Sequence, residues 1–327
     1  MGKKHKNLFS QIVTPDNLHS AYRKAAKGKR NTKSHRVFAW DLKANLTRLA
    51  KDLNTGDYRP GKPRTFLVYE PKTREITAMP FVDRVAQHAL CNIIGPLMDR
   101  VFVPQSFACR VGKGTHAAAR GVQAELRRLE AQGLTPWVLK TDFSKYFYSI
   151  QRAVLHTEYR RKISCPATQR LLETMIPPDG VGIPIGSLTS QLSANLYGHV
   201  VDRWLLHTKG ITQFFRYMDD IVILGTCATA LRRLQQEMQV FSQDVLGLRF
   251  SRWSIQPAAR GVNFVGYRIW ATYKLLRRDS VLRAKRKIKR YTQHGETDRL
   301  RMFLASWKGH AQWADSKNLL LKLGVAQ

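Results

Sequence analysis

Residues 216–225 read Arg-Tyr-Met-Asp-Asp-Ile-Val-Ile-Leu-Gly, which sets two adjacent carboxylates between apolar runs. Phe214, Phe215 and Tyr217 before the pair, and Ile221, Val222, Ile223 and Leu224 after it, have the β-branched and aromatic character of strands. The spacing predicts a tight hairpin with the acids at its tip. Ionised carboxylates in an apolar setting are costly unless something positive meets them. A hard divalent cation such as Mg²⁺ meets that need, because it takes carboxylate oxygens and keeps water and substrate phosphates as its other ligands. A solvated Asp-Asp turn without chemistry is the plain alternative, and apolar strands on both sides count against it.

A further carboxylate must come from elsewhere in the chain. Residues 136–150 read Pro-Trp-Val-Leu-Lys-Thr-Asp-Phe-Ser-Lys-Tyr-Phe-Tyr-Ser-Ile, with Asp142 at the end of a short buried-strand pattern led by Trp137, Val138 and Leu139. Asp142 alone would pass for a strand-end or capping aspartate. Beside an Asp219–Asp220 hairpin on an adjacent strand it completes a set suited to two-metal phosphoryl transfer, where two ions sit about 3.5–4 Å apart.

These two segments resemble the catalytic motifs of reverse transcriptases, and the resemblance runs from about Tyr69 to Trp313. It implies an α+β right-hand polymerase fold: fingers over 1–117 and 150–187, an antiparallel palm sheet over 118–149 and 188–270, and a helical thumb over 271–327. It also implies that Asp142 and Asp219 are the main metal ligands, with Asp220 beside them and the Phe143 carbonyl contributing. The ions would be two Mg²⁺, a role open to Mn²⁺. Phe147, five residues after Asp142, falls where the family keeps an aromatic gate against a ribose 2′-hydroxyl; a simple core phenylalanine is the alternative.

Residues 183–191 read Ile-Pro-Ile-Gly-Ser-Leu-Thr-Ser-Gln. Most reverse transcriptases carry Gln-Gly and then Ser-Pro here, whereas this chain keeps Gly186 and Ser190 with Ile185 and Gln191 as the departures. That pattern is similar to the reverse transcriptases of diversity-generating retroelements, as are the runs at 87–93 and 303–315. A glutamine beside the incoming nucleotide can hydrogen-bond its sugar, while isoleucine offers van der Waals contact alone. Apolar discrimination is worth about 1–3 kcal/mol, far less than a hydrogen-bonding site supplies. Low fidelity is therefore expected, and the resemblance implies errors opposite template adenines.

Tyr69 to Ile76 reads as two strands joined by a Pro-containing turn, with Lys72 and Arg74 near the bend. By resemblance Arg74 packs on the incoming nucleotide and Lys72 approaches its phosphates; a planar guanidinium can both stack and fork onto oxygens. The lysine that many relatives use to protonate pyrophosphate has no counterpart in Gly247–Ser254, where Arg249 and Arg252 stand. Arginine stays protonated and is a poor acid.

The formal charge of +32 on 327 residues signals a polyanionic partner. Lys and Arg crowd residues 1–36, where Asp16 is the one acid and a flexible arm is expected, and residues 277–290, where Asp279 is. The second run predicts a helix whose Arg283, Lys285, Arg286, Lys287, Lys289 and Arg290 contact nucleic acid. Leu231, Leu234, Met238, Phe241 and Val245 predict one apolar helix face, a second apolar-rich helix should run from Ser190 to Trp204, and Gly261–Trp270 alternates like a hairpin. His88 and His116 read as structural. No apolar stretch is long enough to span a bilayer, and Cys91, Cys109, Cys165 and Cys227 form no metal or disulfide pattern. A cytoplasmic protein of a bacterial cell or its phage is expected, without a membrane partner.

By resemblance the partners are a template-repeat RNA, its cDNA or primer, dNTPs and a small accessory variability protein. No appended nuclease or integrase is expected. Two other readings stand: a group II intron-like reverse transcriptase, and an RNA-binding scaffold without activity.

Overall fold

The structure is a computed structural model that describes residues 4–69 and 73–325. The chain divides into two compact units. One gathers the residues up to Val103 with Ser144–Trp204 and Gln239–Arg249; the other gathers Pro104–Phe143, Leu205–Met238 and the residues from Phe250 onward.

The first unit is mostly helical. Its centre is the helix Phe81–Asp99, whose Val85, Ala86, Ala89, Leu90, Ile94 and Met98 are fully buried. A helix apolar on most of its circumference must be covered by others. One of those is Pro15–Ala26, capped by Thr14, whose hydroxyl accepts from the Asn17 amide. Its Leu18, Ala21 and Ala25 are buried, and Asn17 Nδ2 donates to the Ala89 carbonyl at 3.0 Å. The expected flexible arm is therefore incorrect over these residues. The cations Arg23 and Lys24 share a helix with an apolar stripe at spacings of three and four, and that stripe packs.

The same unit holds the hairpin of β1 (Arg64–Val68) and β2 (Arg74–Ala78), antiparallel with Val68 opposite Arg74. It also holds the helix Leu188–Arg203, buried along nearly its whole length. Lys72 lies outside the described residues.

The second unit is built on a four-stranded antiparallel sheet. It contains β3 (Trp137–Phe143), β4 (Phe214–Tyr217), β5 (Asp220–Gly225) and β6 (Phe250–Pro257), in the order β4-β5-β3-β6. Ile221, Val222, Ile223 and Leu224 are all buried, so β5 is covered on both faces. Val138, Phe215, Val222 and Leu224 belong to a core shared with Ala118, Val122 and Leu126 of the helix Thr115–Ala131. Gly121 permits that approach, since a Cβ there would lie 2.9 Å from the Phe215 ring.

A second sheet, β7 (Val262–Phe264), β8 (Tyr267–Ile269) and β9 (Lys274–Leu276), adds Val262, Phe264 and Tyr267 to the same core. Its first two strands form the expected hairpin, with Val265 and Gly266 both at positive φ, as a tight two-residue loop of the primed type requires. The helices Arg278–Gln293 and Thr297–Ala311 follow, anchored by Ala284, Trp307 and Ala311.

The helix Ala228–Leu246 buries Leu231, Leu234 and Met238, and Phe241 stacks on Trp204 at 4.8 Å. Val245 departs from the expected apolar face, being 43% exposed in the last turn. None of the described helices is long and apolar enough to cross a membrane.

Candidate active site

The acidic hairpin forms because β4 and β5 pair with Tyr217 opposite Asp220, leaving Met218 and Asp219 as a two-residue loop. Met218 takes φ 57, the left-handed region that a tight hairpin imposes on its first loop residue. A methionine held there is strained, and strain of this kind persists where neighbours over-determine it. Arg216 is one such neighbour: it is fully buried, with Nη1 donating to the Met218 carbonyl at 3.2 Å and Nη2 to Ser106 Oγ at 3.0 Å. Asp219 thus stands at the tip and Asp220 begins β5.

β3 brings in the third carboxylate. Asp142 is the register partner of Asp220, so the two leave the sheet on one face. The Phe143 amide donates to the Asp219 carbonyl at 3.3 Å, which ties the end of β3 to the tip. The Phe143 ring is buried and stacks on Phe250. Ser251 Oγ donates to the Asp142 carbonyl at 3.0 Å.

Burial pushes the Asp219 carboxyl up to about 6, and the charges of Asp142 and Asp220 add to the rise. Asp220 is raised as well, by burial foremost, with Lys140 opposing. Lys140 Nζ lies 3.0 Å from Asp220 Oδ2 and donates to the Asn263 carbonyl at 2.7 Å. The other carboxylate oxygen, Asp220 Oδ1, is buried without a partner.

Among the described residues, no three His, Cys, Asp or Glu side chains converge as a ready ligand set for one ion. The donors nonetheless suit a divalent cation. Asp142 and Asp219 are close enough for the charge of one to raise the other, and a buried orphan oxygen lies beside them. The arrangement is two plus one, with the third acid turned onto a lysine.

The first unit gathers other expected residues. The Ile185 carbonyl accepts from the Thr77 amide of β2 at 2.7 Å, and the Ile183 amide donates to the Phe147 carbonyl at 2.8 Å. Ile185 and Phe147 are half-buried, Gly186 is exposed, and Arg74 is an exposed residue at the start of β2. Gly186 has φ 113, and a Cβ there would sit 2.7 Å from the Thr77 carbonyl. Only glycine allows this loop to lie so close to β2. Gln191 is exposed on the first turn of Leu188–Arg203.

Of the basic set, Arg283, Lys285, Arg286, Lys289 and Arg290 are exposed on the helix Arg278–Gln293. Lys287 is half-buried, with its ammonium 5.5 Å from the centre of the Phe303 ring. Arg252 lies opposite Asp142 on β6, while the Arg249 carbonyl accepts from the Ser144 amide.

Sequence reasoning passes over Lys140, Arg216 and Ser251. The available signal for Lys140 is its position two residues before Asp142, which puts both on one face of a strand. For Arg216 it is a cation inside an otherwise apolar strand.

A sheet with carboxylates on adjacent strand ends, backed by helices, defines a template-copying polymerase of the right-hand class. Residues 62–269 match the family model described as reverse transcriptase (RNA-dependent DNA polymerase). The chain belongs to that family, whose members are RNA-directed DNA polymerases. It is 28% identical over 278 residues to protein YkfC of Escherichia coli K12, covering 70% of this chain and 72% of that one. It is 22% identical over 218 residues to the group II intron-encoded protein LtrA of Lactococcus lactis subsp. cremoris, covering 62% of this chain and 35% of LtrA. A telomerase structure from Candida albicans, in complex with a fragment of telomeric RNA, superposes with a TM-score of 0.52 at 9% identity. That match covers 74% of this chain and 55% of the telomerase, and it is a likeness of fold.

Proposed function

We propose that this chain copies a template-repeat RNA into error-prone cDNA for retroelement-driven sequence diversification, with a small accessory protein as partner. The observation that carries the reading is Ile185 ahead of Gly186, in a loop tied to β2 by the Thr77–Ile185 hydrogen bond. An apolar side chain beside the incoming nucleotide cannot hydrogen-bond its sugar, so mispaired geometries are rejected weakly.

In this reading Asp142 and Asp219 hold the reacting ions, with Asp220 beside them and the Phe143 carbonyl as a minor contributor. Bound Mg²⁺, or Mn²⁺ in its place, would supply Lewis-acid activation of the primer 3′-hydroxyl and neutralise the leaving pyrophosphate. Arg74 stacks on the incoming dNTP and Lys72 approaches its phosphates. Phe147 closes the space a 2′-hydroxyl would need, and Gly186 and Gln191 line the same nucleotide position. Arg283, Lys285, Arg286, Lys287, Lys289 and Arg290 hold the template–primer backbone. The fingers are assigned to 1–117 and 150–187, the palm to 118–149 and 188–270, and the thumb to 271–327, in a protein acting in the cytoplasm.

The test is to copy a defined RNA with purified protein, Mg²⁺ and dNTPs, with and without accessory protein, and to sequence the cDNA. Errors are expected to concentrate opposite template adenines. Ile185→Gln should lower them about tenfold, the order of one net hydrogen bond gained. The likeness to LtrA supports a second reading, a group II intron-like enzyme, and uniformly faithful cDNA would favour it.

A further inference from the structure

Asp142 near the end of β3, Asp219 at the hairpin tip and Asp220 at the start of β5 are neighbours in the fold, yet they are not equivalent. Asp142 and Asp219 face one another, and no ion pair joins either of them to a Lys or Arg among the described residues. Asp220, directly across from Asp142 in register, is paired with Lys140 at 3.0 Å. Lys140 and Asp220 are 24% and 25% exposed, so their attraction is only partly screened by water. The lysine makes a second bond, to the Asn263 carbonyl of β7 at 2.7 Å. One ammonium therefore binds β3, β5 and β7 at the point where the acids emerge.

We propose that Lys140 is a positioning residue that reserves Asp220 for structure and leaves Asp142 and Asp219 as the pair that holds the metal. Without Lys140, Asp220 loses its ion-pair partner and keeps the longer-range charge of Arg277; with it, one acid is neutralised and its rotamer is held. The ammonium also sets the affinity of the site, because a cation near a cation site weakens binding there. Asp220 keeps one oxygen against Lys140 and one buried and unpartnered, which limits its freedom to swing toward Asp219. The inference rests on the polymerase reading above and divides the roles within its site.

Two readouts separate this role from a merely structural one. Binding of Mn²⁺ alone to the purified full chain, without nucleic acid or dNTP, is followed by electron paramagnetic resonance. Synthesis of cDNA on a defined RNA is followed at saturating Mg²⁺. Lys140→Met should bind Mn²⁺ about tenfold tighter, the order expected for deleting one charge several ångströms from a divalent ion. The same variant should synthesise cDNA at least about tenfold more slowly, since the freed Asp220 competes for the ion and β7 loses its tie. Asp220→Asn should weaken Mn²⁺ binding by a similar factor. The double variant should return close to wild-type affinity, because its site has lost one charge of each sign.

A structural lysine would lose affinity and activity together when replaced. Unchanged or weaker Mn²⁺ binding in Lys140→Met overturns the proposal. Lys140→Gln is the second variant if the methionine does not fold, with melting temperature checked for each. A wild-type protein that makes no cDNA would defeat the polymerase reading, while the order of Mn²⁺ affinities would still judge Lys140.

Discussion

Asp219 sits under tension. Its carboxyl is raised to about 6 by burial, and the neighbouring Asp142 and Asp220 charges push it the same way. A carboxyl raised in the folded state binds its proton more tightly there than in the unfolded chain. Ionising it therefore costs stability, a cost that begins as pH passes the ordinary carboxylate value near 4 and is complete above about 6. Asp219→Asn should accordingly raise the melting temperature of the metal-free protein at pH 7.5 by roughly 2–6 °C. The gain should shrink to nothing below about pH 4, and thermal unfolding followed across pH checks both the sign and the window. Equal melting temperatures at pH 7.5 would show that the carboxylate is not destabilising. The acids themselves are legible in the sequence because carboxylates flanked by apolar strands are rare and costly. Lys140 is not, since a lysine inside a strand pattern names a face and not a partner. Its acceptors lie on β5 and β7, 80 and 123 residues away, and only the register supplies them.

Elements whose hydrophobic period is local can be read directly: the β4–β5 and β7–β8 hairpins and the helix Leu188–Arg203 are of this kind. The N-terminal helices are obscured by their cations, which dominate a reading by charge while Leu18, Ala21 and Ala25 settle the matter by burial. Val245 shows the converse error. It keeps the helical spacing, but the final turn of Ala228–Leu246 leaves it in water. The loop 182–187 lies between these cases, because its glycine is visible in sequence and its reason is not. Gly186 is needed for positive φ and because the Thr77 carbonyl would lie 2.7 Å from any Cβ. Gly186→Ala should push the loop off β2 and break the Thr77–Ile185 bond. We expect KM for dNTP to rise about tenfold or more, with the melting temperature lowered by a few degrees, consistent with roughly 1–3 kcal/mol for strain at one residue. Steady-state kinetics on a homopolymer template would measure it; an unchanged KM would place the nucleotide elsewhere.

At the scale of the whole molecule the dominant quantity is charge, +32 over 327 residues. Such an excess opposes compaction unless a polyanion joins the protein, so binding should be governed by counterion release. Total charge is legible from composition; which cations do the binding is not, because burial and pairing decide it. Lys287 is half-buried with its ammonium over Phe303 and the Arg290 guanidinium lies over Tyr291, whereas Arg283, Lys285, Arg286 and Lys289 of the same helix stand in solvent. Replacing those four together with glutamine should hardly disturb folding, as exposed side chains with no ion pair among the described residues contribute little. It should flatten the dependence of log affinity on log salt by about 0.9 for each duplex phosphate the helix no longer neutralises, up to roughly 3–4 in all. Anisotropy titrations of a labelled RNA–DNA duplex at several salt concentrations give that slope directly. Weaker affinity with the slope preserved would mean that the helix acts through shape, and the phosphates would then be held by cations elsewhere on the chain.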